Sequence, residues 1–240
     1  MKSSGRILIV GVGGLGVPAA CALARAGTNG ITLIDPDPVE LSNLARQVIY
    51  RDTDIGKPKA EAAAAHLRER FPHLQIATHV ASFDSRNASS LAAAHDFMID
   101  ATDDPTTKFL INDIALETRR PFVYGGVLTM AGQAMTIIPG RTACLRCLFE
   151  TAPDADEVAS CRDAGIVGPL AGVIGEIQAA EAIVSVSGAM PRLAGRILTY
   201  DAARSAKFRI TEVPLRSGCK CEANRDATAP PLPFINRGLR

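Results

Sequence analysis

The sequence predicts an α/β fold, a doubly wound Rossmann-like sheet that is mainly parallel and is completed by C-terminal antiparallel strands. Three observations predict it. Apolar strand-like runs alternate with helix-length segments from Arg6 to Val127, the pattern of a parallel sheet covered on both faces. Hydrophobic residues make up 47% of the chain and mean hydropathy is +0.13, as expected of strands buried on both sides. A glycine loop, GVGGLG, joins the first run to the first helix.

The elements follow in order. RILIV (6–10) is the first strand, and Leu15–Ala26 is the helix after the loop. ITLID (31–35), LQIATHV (74–80), DFMID (96–100) and PFVYGGV (121–127) are further strands. Between them lie helices over Lys57–Arg70, Ser85–Ala94 and Thr106–Thr118. GQAMTIIPG then reads as an antiparallel strand, and TAPDADEVAS (151–160) as a mobile loop rich in polar residues and breakers. A long apolar helix ends near Gly188, after which LAGRILTYDA and AKFRITEVPL form a hairpin. The expected organisation is one domain over residues 1–222 with a Pro-rich, disordered tail over 223–240.

Composition excludes several classes of function. The 26 basic and 25 acidic residues leave a net charge of +1, so no global field attracts nucleic acid or a membrane surface. With no Trp and three Tyr, little aromatic surface is available for stacking on bases. The apolar stretch from Gly165 to Met190 carries Glu176, Gln178 and Glu181 at helical spacing, which predicts a core helix with one polar face and no membrane span. The opening stretch has the basic start, apolar middle and Ala22–Ala24 small residues of a secretory signal. Four glycines and Pro18 interrupt it, and ITLIDPD follows as a second parallel strand would. The expectation is a cytoplasmic chain that keeps this segment.

Gly11, Gly13 and Gly16 satisfy G-x-G-x-x-G between a strand and a helix, and Asp35 closes the next strand. Glycines permit the tight turn and a close backbone approach, the helix start attracts phosphate, and the acid bonds ribose hydroxyls. The motif alone says nucleotide, and most often NAD. Further features favour ATP. Gly14 adds a position without a side chain. LSNLARQ (41–47) brings Asn43 and Arg46 towards the same pocket, GKPKAE starts a helix at Lys59, and ATDD places Asp103 and Asp104 just past the fourth strand. Arg46 and Lys59 would neutralise a triphosphate and Asp103 could hold a bridging Mg²⁺. A hydride-transfer site needs none of these contacts.

GVGGLG, LSNLARQ, GKPK, ATDD, CLRCLF and CRDAGIVGPLAGVIGEIQAAEAI together resemble the MoeB/ThiF/HesA family, relatives of ubiquitin-activating enzymes, from about Arg6 to Cys221. The resemblance implies an adenylyltransferase that activates the C-terminal glycine of a small ubiquitin-fold sulfur-carrier protein ending in Gly-Gly. It implies that Gly14, Asp35, Asn43, Arg46, Lys59 and Asp103 contact ATP and Mg²⁺, with Ser42 and Asp104 as lesser contacts. It also implies a homodimer and, without a rhodanese-like extension, a separate sulfur donor. The chemistry needs no protein nucleophile, since positioning and charge neutralisation carry the attack of a carboxylate on the α-phosphate. One departure stands out. The family's R-Y-S-R-Q-like arm precedes the first strand, whereas here only five residues do, so a catalytic arginine from that arm is not seen.

The six cysteines take three roles. Cys144 and Cys147 form C-x-x-C, and Cys219 and Cys221 form C-x-C. Two close pairs suit a structural tetrahedral Zn²⁺ site pinning the late hairpin to the sheet, as the resemblance also implies. The contracted second pair, where the family has C-x-x-C, strains chelation, and reduced thiols or a redox pair are the alternatives. Cys161 starts the apolar helix beside Arg162, a setting that lowers a thiol pKa. The resemblance links it to covalent attachment of the carrier, with an inert thiol as the alternative. Cys21 reads as core. Rival functions are activation of a peptide or small carboxylate, an inactive partner subunit of a heteromeric enzyme, and a plain NAD dehydrogenase.

Overall fold

The computed structural model describes residues 5–151, 165, 167–204 and 206–223. Eight strands form one sheet in the order β3-β2-β1-β4-β5-β6-β7-β8. They are β1 (Arg6–Val10), β2 (Gly30–Ile34), β3 (Gln75–His79), β4 (Phe97–Asp100), β5 (Phe122–Leu128), β6 (Ala131–Ile137), β7 (Arg196–Asp201) and β8 (Phe208–Glu212). The first five pair in parallel and the last three add antiparallel. The predicted sheet class and every predicted strand are present, within a few residues at their ends.

Strand alternation sends one set of side chains to each face. Ile7 and Ile9 of β1 join a core with α1 (Gly16–Arg25), α2 (Lys59–Arg70) and the long α6 (Gly168–Val186). Leu8 and Val10 join a second core with α3 (Ala88–Ala93) and α4 (Pro105–Thr118). Both faces of β1 are therefore fully covered, which is why its run is continuously apolar. The segment that imitates a signal peptide is the centre of the fold: Ile7, Leu8, Ile9, Val17 and Leu23 have no exposed surface.

Helix ends follow local chemistry. Helix α2 starts at Lys59, two residues later than the sequence suggests, because Pro58 is extended (ψ 131°) and bridges Pro38, and a proline disfavours helical backbone in the residue before it. Asp104 caps α4, its carboxylate accepting from the Thr107 N–H at 2.8 Å with Pro105 at the first helical position. Helix α6 is long and apolar enough to cross a membrane by length and composition, yet it lies against α1 and β5. A Cβ at Gly175 would sit 2.3 Å from the Leu15 carbonyl, so α1 and α6 touch through backbone. The polar residues of α6 are used inside the protein. Gln178 donates to the Asp100 carbonyl at 2.6 Å, and Glu181 accepts from the Thr136 hydroxyl at 2.6 Å and the Leu193 N–H at 2.8 Å.

Two short helices that the sequence reading misses carry the paired cysteines: α5 (Leu145–Leu148) and α7 (Lys220–Ala223). At four residues each they are too short to show a helical period. The expected loop over 152–160, the expected tail over 224–240 and Cys161 lie outside the described residues.

Candidate functional site

Strand order reverses between β1 and β4, the point at which an open α/β sheet leaves a crevice beyond its strand ends. A cavity of about 330 Å³ opens there. Gly11, Gly13, Gly14, Asp35, Asn43, Arg46, Lys59, Asp103 and Asp104 all line it. These come from five separate segments, which only the sheet brings together. Two predicted residues do not line it. Gly16 lies under the loop, and the Ser42 hydroxyl donates to Glu40 at 3.2 Å.

The glycines divide by physical cause. Gly11 has φ +92°, and a Cβ on Gly16 would sit 1.9 Å from the Gly11 carbonyl, so the turn itself requires both. Gly13 and Gly14 are different: a Cβ would meet only Gln47 Nε2 or the Ala171 methyl, each at an ordinary 3.4 Å. The chain's own packing does not require glycine at these two positions, and their bareness faces the cavity. Gly16→Ala is therefore expected to cost about 1–3 kcal/mol, read by urea denaturation. Gly14→Ala is expected to leave stability within about 0.5 kcal/mol while weakening ATP binding, read by equilibrium titration.

Asp35 is 6% exposed and ties the loop to β2. One carboxylate oxygen accepts from the Val12 N–H at 2.7 Å and the other from the Asp37 N–H at 2.9 Å. Burial pushes its pKa up, opposed by the two N–H groups and by Lys59. Tyr50 braces the same loop. Its hydroxyl lies 2.7 Å from the Val12 carbonyl and 3.2 Å from that of Lys59, and burial pushes its pKa up so that it stays a donor. Tyr50→Phe is expected to cost about 1–2 kcal/mol by leaving the Val12 carbonyl without its donor, lowering Tm by about 2–8 °C in thermal unfolding.

The two cations differ in restraint. Lys59, 8% exposed, holds its ammonium 2.9 Å from Asp37, a partner the sequence reading misses although DPDPVE contains it. Arg46 is half-buried, and among the described residues its guanidinium donates only to the Ser42 carbonyl, at 3.1 Å. Asp104 spends its carboxylate on the Thr107 N–H and hydroxyl. Below the cleft, Asp100 has no exposed surface and pairs with Lys108 at 3.1 Å. Complete burial pushes its pKa up to about 6, with Lys108 pulling the other way. Gln47 also lines the cavity and was not singled out from sequence.

On the far side of α4, the four sulfurs of Cys144, Cys147, Cys219 and Cys221 lie within 4.8 Å of one another. Cys144 and Cys219 are 3.6 Å apart, and Cys147 and Cys221 3.4 Å. Zn–S bonds of about 2.3 Å put tetrahedral sulfurs roughly 3.8 Å apart, so the set fits a tetrahedral metal ion. The C-x-C contraction does not prevent convergence: Cys219, just before α7, and Cys221, within it, both place their sulfurs in the cluster. Hydrogen bonding from Cys221 pulls the Cys144 pKa down, the direction that favours the thiolate form in which cysteine ligates a metal. The Arg216 N–H points at Cys147 Sγ from 3.4 Å, the kind of outer contact that orients a ligand.

Comparisons with known proteins agree with this geometry. The model of the ThiF family matches residues 1–223. The chain is 39% identical over 218 residues to the SAMP-activating enzyme E1 of Haloferax volcanii, covering 91% of this chain and 79% of that protein. It is 39% identical over 233 residues to the adenylyltransferase and sulfurtransferase uba4 of Emericella nidulans, covering 91% of this chain and 48% of the relative. The MOCS3 protein of Anopheles gambiae, of the same description, is 38% identical over 213 residues, covering 89% and 48% respectively. The chain thus spans about half the length of several of the curated relatives it matches. Among solved structures, Escherichia coli MccB with ATP superimposes with a TM-score of 0.80 at 21% identity, over 91% of this chain and 67% of that one. At that identity the likeness speaks for the fold. The glycine loop, the switch-point cleft and the family match converge on one statement: this chain belongs to the ThiF family.

Proposed function

We propose that this protein is an adenylyltransferase that uses ATP and Mg²⁺ to adenylate the C-terminal glycine of a ubiquitin-fold sulfur-carrier protein, preparing it for sulfur transfer. The observation that carries the reading is the meeting of Arg46, Lys59, Asn43 and Asp103 with the bare Gly13–Gly14 backbone in one cavity at the switch point. The names of the relatives, a SAMP-activating enzyme and adenylyltransferase–sulfurtransferases, support the class of substrate.

In this reading the loop N–H groups and Asn43 hold the polyphosphate, and Asp35 bonds the ribose. Arg46 and Lys59 neutralise charge that builds as the carrier's carboxylate attacks the α-phosphate and pyrophosphate leaves. Mg²⁺, held by Asp103, would supply further neutralisation. Lys59 must exchange Asp37 for phosphate, so its charge is delivered against a competing partner, whereas that of Arg46 is available at once. Cys161 is not needed for this step. The cysteine tetrad holds zinc as a structural ion, distant in role from the chemistry. The same reading has the chain acting as a cytoplasmic homodimer with a separate sulfur donor.

The test is exchange of labelled pyrophosphate into ATP, with the protein, Mg²⁺ and candidate carriers ending in Gly-Gly. Exchange that depends on an intact carrier C-terminus is expected. Exchange driven only by a peptide or small carboxylate would move the substrate class. ATP binding without exchange for any acceptor would overturn the proposal.

A further inference from the structure

One side chain of the nucleotide cleft is left unexplained by the fold. Gln47 lines the cavity beside Gly13 and is 3% exposed, yet its carboxamide oxygen is buried with no donor. Its backbone is fully used: the N–H donates to the Asn43 carbonyl at 2.9 Å and the carbonyl accepts from the Tyr50 N–H at 3.2 Å. The segment is therefore pinned, and only the side chain lacks a partner. A buried polar group without a partner is costly and calls for a cause. Leucine would fill the same wall without that cost. The other buried polar atoms without a partner among the described residues belong to Arg120, Gln178 and Arg216, none of which lines this cavity.

The amide nitrogen points to the cause. It lies where a Cβ on Gly13 would meet it at 3.4 Å, so the carboxamide sits in the cavity wall next to the bare side of Gly13. A carboxamide can present its donor or its acceptor by rotation about its terminal torsion, and a phosphate oxygen only accepts. We propose that Gln47 is a nucleotide-contacting residue, its amide NH₂ donating to a phosphate oxygen laid over Gly13 and Gly14. The inference rests on the cleft being an ATP site and adds an uncharged donor to the two cations. The unpaired oxygen is then the cost, in the free protein, of holding the NH₂ in place for the ligand.

The experiment compares the full-length chain with Q47L and Q47E by equilibrium binding of ATP, tripolyphosphate and adenosine as separate probes, alongside thermal unfolding. Q47L is expected to bind ATP and tripolyphosphate about tenfold more weakly, with adenosine unchanged. Its Tm is expected to hold or to rise by about 2–4 °C, because the orphan oxygen is gone. Q47E, which sets a carboxylate beside the phosphates, is expected to lose about a hundredfold. Wild-type affinity for ATP in Q47L would overturn the inference. So would an equal loss for adenosine, which would assign Gln47 to the base or sugar, or a fall in Tm, which would make the residue structural. A wild-type chain that fails to bind ATP would overturn the reading of the cleft itself, and this inference with it.

Discussion

Arg46→Ala is expected to lower carrier-dependent pyrophosphate exchange by about 10²–10³-fold, the effect of removing one donor aimed at developing charge. Its Tm is expected to move by no more than about 2 °C, since substitutions that break no buried interaction stay within about 0.5 kcal/mol. The separation of the two readouts follows from the geometry. The guanidinium makes a single hydrogen bond, to the Ser42 carbonyl, among the described residues. Among the described residues its charge has no acidic partner, so its loss is expected to cost the fold little. Arg46→Lys keeps the charge but loses the planar fork, so it is expected to recover only part of the rate. Lys59→Ala is a useful contrast. Lys59 is buried against Asp37, so its loss is expected to reduce both exchange and stability. Exchange within threefold of wild type in Arg46→Ala would remove the residue from the chemistry.

The cysteine tetrad carries the other large expectation. Purified protein is expected to hold about one zinc per chain by elemental analysis, and Cys144→Ser or Cys221→Ser to lose it. Loss of the ion is expected to lower Tm by about 10 °C or more, taking several kcal/mol for a structural metal at about 2–4 °C per kcal/mol. The size reflects what else holds this corner. Helices α5 and α7 are four residues each, too short to be stable by themselves, and the sulfur cluster joins them alongside the Arg216–Glu150 ion pair and the packing of Leu145 and Leu215. Cys21→Ser leaves the tetrad intact and is expected to keep the metal. A metal-free protein whose Cys144→Ser variant melts with wild type would return the tetrad to four reduced thiols.

Much of this was legible along the chain because periodicity and glycine spacing are local. The continuous apolar runs of β1 and β2, the strand–loop–helix around Gly11 and Gly16, and the paired cysteines are each set by neighbours in sequence. The same logic separated a buried β1 from a signal peptide, since four glycines and Pro18 interrupt what an export signal would keep apolar. Short helices such as α5 and α7 left no period to read, and Asp104 concealed its capping role behind a motif that suggested a ligand contact.

By itself the sequence determined the fold class, the family and most of the residues that line the switch-point cleft, because these rest on residue type and spacing. Tertiary structure alone decided which glycines the fold requires and which it leaves bare, that Asp37 restrains Lys59, and that C-x-C converges with C-x-x-C as closely as a metal demands. It alone exposed Gln47 as a buried amide without a partner. The physical reason is common to all four: each depends on distances between segments far apart in the chain, and those distances exist only once the sheet has placed its strand ends side by side.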